Sequence, residues 1–285
     1  EVVTSISPSN PELSGIDRLS AETPRQIANA HTIFNIANTL IFLLFTGQFA
    51  RLVEWMVPDR PIEEEELIKI QHLDAELLST SSLALGRVRL ELIEMSKVIS
   101  DMHNRSLEVI SKGSPTDLLE LAKEDAKVDL LHQEIISYMG KISGNELSEN
   151  EATELANMFE ITNALETIGD IIETDMVGLG RQRIKQQLYI SPQTKIVLDG
   201  IHKMVGQSLD LVASSLSFDT RDDTAKIIEM KSKFNRLIES AHLHQMGRLT
   251  ADESKRLQTY SLEVEIIEKL KRIYYFTKRI AKAAS

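Results

Sequence analysis

Residues 83–102, LALGRVRLELIEMSKVISDM, carry apolar side chains at Leu83, Val88, Leu92, Met95, Val98 and Met102. Steps of three to five residues bring these positions back to one face of a 3.6-residue helix, the pattern of a helix that buries a stripe. The same spacing reaches upstream through Leu67, Ile70, Leu73 and Leu77. Aromatic residues make up only 5% of the chain, with 12 Gly and 7 Pro. That vocabulary favours helices over sheets, which need more β-formers and more turn residues. The fold class expected is all-α.

Working outward, Gly113-Ser114-Pro115, Ser143-Gly144-Asn145, Gly178 to Gly180, Ser191-Pro192, a polar stretch from Asp219 to Asp223, and Gly247 interrupt the pattern. They divide it into about six long helices, as a bundle requires. The breaks suggest a duplication. Three helices from about Thr80 to Gly180 are followed by three of similar length from Ser191 to Ser285. Leu92-Ile93-Glu94-Met95 with Val98 in the first half pairs with Leu198 to Ile201 and Met204-Val205 in the second. Two antiparallel three-helix bundles are therefore expected, at residues 80–182 and 190–285. A linker helix over 58–79 precedes them, opened by Glu63-Glu64-Glu65-Glu66, since acidic groups suit a helix N-terminus.

The region before the linker has another character. Ser7-Pro8-Ser9-Asn10-Pro11 reads as a loop, assigned to residues 1–27. With no basic segment followed by an apolar one, it is no signal peptide. The chain opens at Glu1 without methionine, and its start is expected to lie inside a longer protein. From Gln26 to Ala50 there is no Lys, Arg, Asp or Glu, and Ile33 to Phe49 is mostly apolar. A bilayer core needs roughly 20 such residues, so residues 28–57 are expected to form a transmembrane helix. Arg51, Glu54 and Trp55 mark its boundary and Pro58-Asp59-Arg60-Pro61 its end. His31, Asn35 and Asn38 share one face, suited to packing against other helices because lipid cannot satisfy polar groups. The alternative is a buried or amphipathic helix of a soluble protein. Charge does not orient the span, since Arg18 and Arg25 balance Arg51 and Arg60.

A net charge of −11 excludes nucleic acid as the main partner, and the absence of Cys removes thiolate metal sites, disulfides and Cys nucleophiles. No phosphate loop, nucleophile elbow or His-Glu-x-x-His motif is present, so no enzyme is expected. Two pairs of carboxylates stand four residues apart, Asp125 with Asp129 and Glu166 with Asp170. That spacing puts both members on one helix face about 6 Å apart, able to share a hard or borderline cation. They fall on neighbouring helices, so four carboxylates can converge; His132 lies one turn beyond Asp129. The alternatives are a solvated acidic face or pairing with basic residues between helices, with Gly169 allowing close helix approach. In the second half cations intrude (Glu229 with Lys233, Glu268 with Arg272), and no metal is expected there. The last helix is basic at Lys269, Lys271, Arg272, Lys278, Arg279 and Lys282. These cations either complement the helix dipole or meet anionic headgroups or phosphate.

Several stretches resemble a known family. Ala28-Asn29-Ala30-His31-Thr32-Ile33-Phe34-Asn35, ending at Val57-Pro58-Asp59-Arg60-Pro61, is similar to the last membrane helix of bacterial Na/Pi cotransporter family proteins. His72-Leu73-Asp74 through Leu85, Glu91 and Met95 resembles the passage into their cytoplasmic domain. Leu270-Lys271-Arg272-Ile273 with Ile280-Ala281 resembles its closing helix, and Glu166-Thr167-Ile168-Gly169-Asp170 resembles the signature of PhoU domains. The resemblance implies the C-terminal part of a sodium-dependent phosphate transporter of the inner membrane, with the residues after 58 in the cytoplasm. It implies a regulatory or scaffolding role, a transport core upstream that handles phosphate and sodium, contact with the inner leaflet, and a possible homodimer. It also implies an iron or zinc cluster on the first bundle, held by Asp125, Asp129, Glu166 and Asp170. Two other readings stay open: a membrane-anchored oligomerising bundle, and a stand-alone PhoU-like metal-binding regulator.

Overall fold

The computed structural model describes residues 2–7, 9–56, 70–217, 221–249 and 255–284. They fall into two compact units, residues 1–67 and 68–285. All the regular structure among them is helical.

In the first unit a short helix, α1 (Val2–Ser5), rests on a long one, α2 (Gly15–Met56). The Asn29 side chain donates to Ser7 Oγ at 2.9 Å and ties the two together. α2 begins at Gly15, so the loop expected over residues 1–27 is shorter than its composition suggested. The turn residues end before Gly15, Asp17 suits the first turn, and an Arg18–Glu22 ion pair at 3.0 Å bridges successive turns. A single Pro24 does not stop the helix. The stretch 15–49 is long and apolar enough to cross a membrane, and none of its most apolar window is buried within the protein. Phe34, Leu40, Leu43, Leu44 and Phe45 all stand exposed.

The second unit opens with a 3-10 turn over Ala75–Ser79, capped by Asp74, whose side chain accepts from the Glu76 amide at 2.9 Å. The described part of the expected linker helix is therefore this turn and an extended lead-in; the run Glu63–Glu66, Leu67 and the Pro58–Pro61 stop fall outside the described residues. Next come α3 (Ser81–Lys112), α4 (Pro115–Lys123), α5 (Asp125–Ile142) and α6 (Glu149–Asp170). A π-helical turn, Ile171–Met176, leads into α7 (Val177–Gln186), and α8 (Pro192–Ser215), α9 (Arg221–Arg248) and α10 (Arg256–Ala283) complete the chain.

The starts are written in the sequence. Ser114 and Ser148 each form a capping box, with Asp117 and Glu151, and Pro115 and Pro192 fill first-turn positions where the missing amide is harmless. One expected stop is not a stop. The chain runs helically through Gly178 and Gly180 and ends at Gln187, which takes a left-handed conformation (φ 52°). Gly180 serves packing instead: a Cβ there would lie 2.5 Å from Leu118 Cδ2 of α4.

α3 packs against α5 and α6, and α8 against α9 and α10; across the middle α3 lies on α8 and α6 on α10. The stripe read from the sequence is the heart of this core, with Ala84, Leu85, Val88, Leu92, Met95, Ile99 and Met102 fully buried. Leu83, first in that stripe, is 54% exposed, and Val98 is only half-buried. At the α3–α8 crossing, His103 and His202 stack with ring centroids 4.0 Å apart. The Nε2 of each meets the backbone carbonyl of the other, at 3.0 and 2.7 Å. A carbonyl only accepts, so both rings are held as the Nε2–H form. Burial drives the His103 pKa down to about 3, with the neighbouring imidazole adding to the shift.

Candidate functional site

The four carboxylates singled out in the sequence come to one face of the first bundle, where the start of α5 meets the end of α6. Asp125 is the first residue of α5 and is buried, 7% exposed. It sits against Gly169 so closely that a Cβ on that glycine would lie 2.6 Å from Asp125 Oδ1 and 3.1 Å from Val128 Cγ1. Gly169 thus lets α5 and α6 approach at the site. That same Oδ1 has no hydrogen-bond partner, a costly state for a buried carboxylate oxygen.

Asp129 and Asp170 are exposed, and Glu166 is half-buried. None of the three forms an ion pair among the described residues, so pairing with basic residues between helices does not account for them. Their mutual influence appears in their acidities. Burial, then the charges of Asp129, Asp170, Glu173 and Glu166, push the Asp125 carboxyl up to about 7. Burial and Asp170 raise Glu166, and burial and Asp129 raise Asp170; His132 works against both shifts. His132 Nε2 lies 3.1 Å from the Asn163 side-chain oxygen, bridging α5 to α6 at the edge of the cluster.

Sequence reasoning missed the continuation of this face. The π-helical turn adds Glu173, which raises both Asp125 and Asp170, and Asp175, which raises Asp170. Such turns widen a helix by one residue and commonly mark functional positions. The signal was the pair of acids that follows the second pair, Glu173 and Asp175. Asp175 is the one with counter-charges: Lys269 at 3.0 Å and Arg272 at 2.9 Å, both from α10. With Arg279 held by Glu160 at 3.1 Å and Lys271 by Glu268 at 2.7 Å, four of the basic residues of α10 are paired with acids.

Oxygen-rich donors, a neighbouring imidazole and an unpartnered buried carboxylate oxygen fit a divalent cation in chemistry. Among the described residues, no three Asp, Glu or His side chains are gathered closely enough to hold one as they stand. As placed, the face concentrates negative charge around the buried Asp125 carboxyl.

Two three-helix bundles side by side, with an acidic signature at the end of the third helix, point to one domain type. Residues 92–174 match the PhoU domain. The likeness extends in space across both bundles. PhoU from Pseudomonas aeruginosa superposes with a TM-score of 0.64 at 14% identity, covering 70% of this chain and 94% of that one. The phosphate transport system regulatory protein PhoU from Streptococcus pneumoniae gives 0.62 at 12% identity, over 72% and 95%. At these identities the likeness establishes the PhoU fold alone. In sequence, the chain is 23% identical over 259 residues to a protein of Escherichia coli K12 named "Putative inorganic phosphate export protein YjbB", and 24% identical over 261 residues to its Salmonella typhimurium counterpart. Each alignment covers 90% of this chain and 47% of the relative, so the chain spans about half the length of the curated relatives it matches.

Proposed function

We propose that this chain is the C-terminal part of a phosphate transporter of the inner membrane, with its PhoU-like unit on the cytoplasmic side regulating or scaffolding transport by an upstream membrane core. One combination carries the reading: a membrane-length helix whose most apolar window is not buried among the described residues precedes a PhoU-type double bundle, in a sequence similar to a phosphate export protein over 90% of its length. α2 needs either lipid or other helices, and the face bearing His31, Asn35 and Asn38 suits helices. Sodium coupling and a homodimer belong to the same proposal. No catalytic role is proposed.

The test is phosphate flux in inverted membrane vesicles carrying the full-length protein, with and without residues 68–285. The reading expects flux in both and a changed rate or phosphate dependence when the unit is removed. Equal flux would leave the unit no regulatory role. Flux indifferent to sodium would remove the coupling, and the direction of flux separates export from uptake. A membrane-anchored oligomerising bundle, the other reading, predicts no phosphate flux at all.

For the acidic face we propose a divalent cation, iron or zinc, bound through Asp125, Asp129, Glu166 and Asp170, with Glu173 beside them. The unpartnered Asp125 oxygen and the mutual repulsion of these groups support it. A bound cation would supply positive charge that cancels the repulsion; Gly169 would keep α5 and α6 close enough to share it. Side chains must swing inward to ligate, since they are not gathered as placed. Elemental analysis after iron or zinc loading should find metal in the protein and lose it in Asp129→Ala and Asp170→Ala; an empty loaded protein ends this part of the proposal.

A further inference from the structure

The second bundle carries a groove with three lysines in its lining. Between α9 and α10 lies an open groove of about 580 Å³, lined by Lys231, Lys271 and Lys278 with Phe234, Tyr274 and Tyr275 beneath and beside them. This volume falls in the range of roughly 300–1,000 Å³ usual for small-molecule sites. Phe234 and Tyr274 are buried and stack at 4.0 Å, and the Tyr274 hydroxyl donates to the Ile227 carbonyl at 3.0 Å, so the floor is rigid. Tyr275 stands 54% exposed at the side, edge-on to Phe276 at 5.5 Å.

The charges are arranged unusually for a chain of net charge −11. Lys271 is shared with Glu268, but Lys231 and Lys278 form no ion pair among the described residues. They repel one another: burial first, then Lys231 and Lys282, lower the pKa of Lys278. Two cations held near each other over an aromatic floor are relieved by an anion, and ammonium-to-phosphate hydrogen bonds are among the stronger polar contacts. Among the described residues Glu239 is the one carboxylate lining the groove, and His242 lines it too, so an anionic ligand can also offer a donor group there. Inorganic phosphate would leave the aromatic surface unused.

We propose that the α9–α10 groove binds a phosphate ester carrying a flat or apolar organic group, its phosphate between Lys231 and Lys278 and its organic part against Tyr275 and the aromatic floor. Two sources share this chemistry, a soluble nucleoside phosphate and a phospholipid headgroup. The site is read from α9 and α10 alone and does not depend on transport or on metal at the first bundle.

The test is calorimetric titration of the 285-residue chain, held in phosphatidylcholine nanodiscs, with AMP, ATP, inorganic phosphate, and dihexanoyl phosphatidylglycerol below its micelle-forming concentration. At least one organic phosphate should bind about tenfold or more tightly than inorganic phosphate. Lys231→Gln and Lys278→Gln should each weaken it about tenfold, and Tyr275→Ala should weaken it while leaving inorganic phosphate unchanged. All three substitutions are at the surface or half-buried, and unchanged circular dichroism confirms the fold. Binding of the nucleotides identifies a soluble ligand; binding of the phosphatidylglycerol alone identifies a headgroup. The proposal is overturned if none of the four binds, if inorganic phosphate binds as well as the esters, or if Lys231→Gln and Lys278→Gln leave the affinity unchanged.

Discussion

At the scale of single residues, Asp125 and His103 are both buried away from their ordinary acidity, in opposite senses. Asp125 rises from 3.8 to about 7. Between those values the folded chain keeps a proton that the unfolded chain has released, so folding stability falls as pH climbs from about 4 to 7, and the full penalty stands above 7. Asp125→Asn removes it. Allowing for solvent screening of the partly wet cluster, we expect a gain of about 1–2 kcal/mol in metal-free protein at pH 8, shrinking at pH 5. Urea unfolding midpoints at the two pH values measure this; an equal gain at both would mean that charge is not the cause. His103 falls from 6.5 to about 3. Here the unfolded chain takes the proton first, so stability is present above 6.5 and is lost as pH drops towards 3, at up to about 1.4 kcal/mol per pH unit. His103→Gln keeps an Nε2 donor without the titration, and its stability should decline less steeply between pH 6.5 and 5.

Among the elements, the α5–α6 contact leaves no room for a side chain at Gly169. Gly169→Ala would push a methyl against Asp125 and Val128 and should destabilise the second unit by about 1–3 kcal/mol. Gly200→Ala in α8 is the matched control, because nothing lies within 4 Å of its Cβ. A helix interior prefers Ala over Gly by up to about 1 kcal/mol, so that variant should melt no lower than the parent. Thermal denaturation followed at 222 nm separates the two. The sequence made the acids of α5 and α6 legible because i, i+4 spacing and chain order were enough to place them. The π-helical turn was not legible: one extra residue per turn leaves no mark in the apolar period, yet it decides where Glu173 and Asp175 point. Likewise Gly178 and Gly180 read as a break because glycine usually punctuates, whereas Gly180 answers to Leu118, a residue whose proximity only the tertiary fold establishes.

For the whole molecule, the all-α class and the three-plus-three order of long helices could be read from the apolar period and the capping residues, since both are local. The contacts that join the bundles could not. They link residues far apart: His103 to His202, and Asp175 to Lys269 and Arg272. The division at residues 67 and 68 leads to a further expectation. Residues 68–285 alone should be soluble, strongly helical and cooperative in unfolding, whereas the full chain should stay with the membrane after carbonate extraction because of α2. Release of the full chain by carbonate would deny α2 a spanning role.

The stacked histidines also set a timetable. Each ring closes on a carbonyl 99 residues away, so the joint cannot form until α8 has been synthesised. At about 5–20 residues per second, that leaves the face of α3 that will meet α8 open for roughly 5–20 s after its own helix exists. During that interval the first bundle waits half-clothed on the ribosome. Until then His103 lacks both the ring it stacks on and the carbonyl its Nε2 meets in the finished fold.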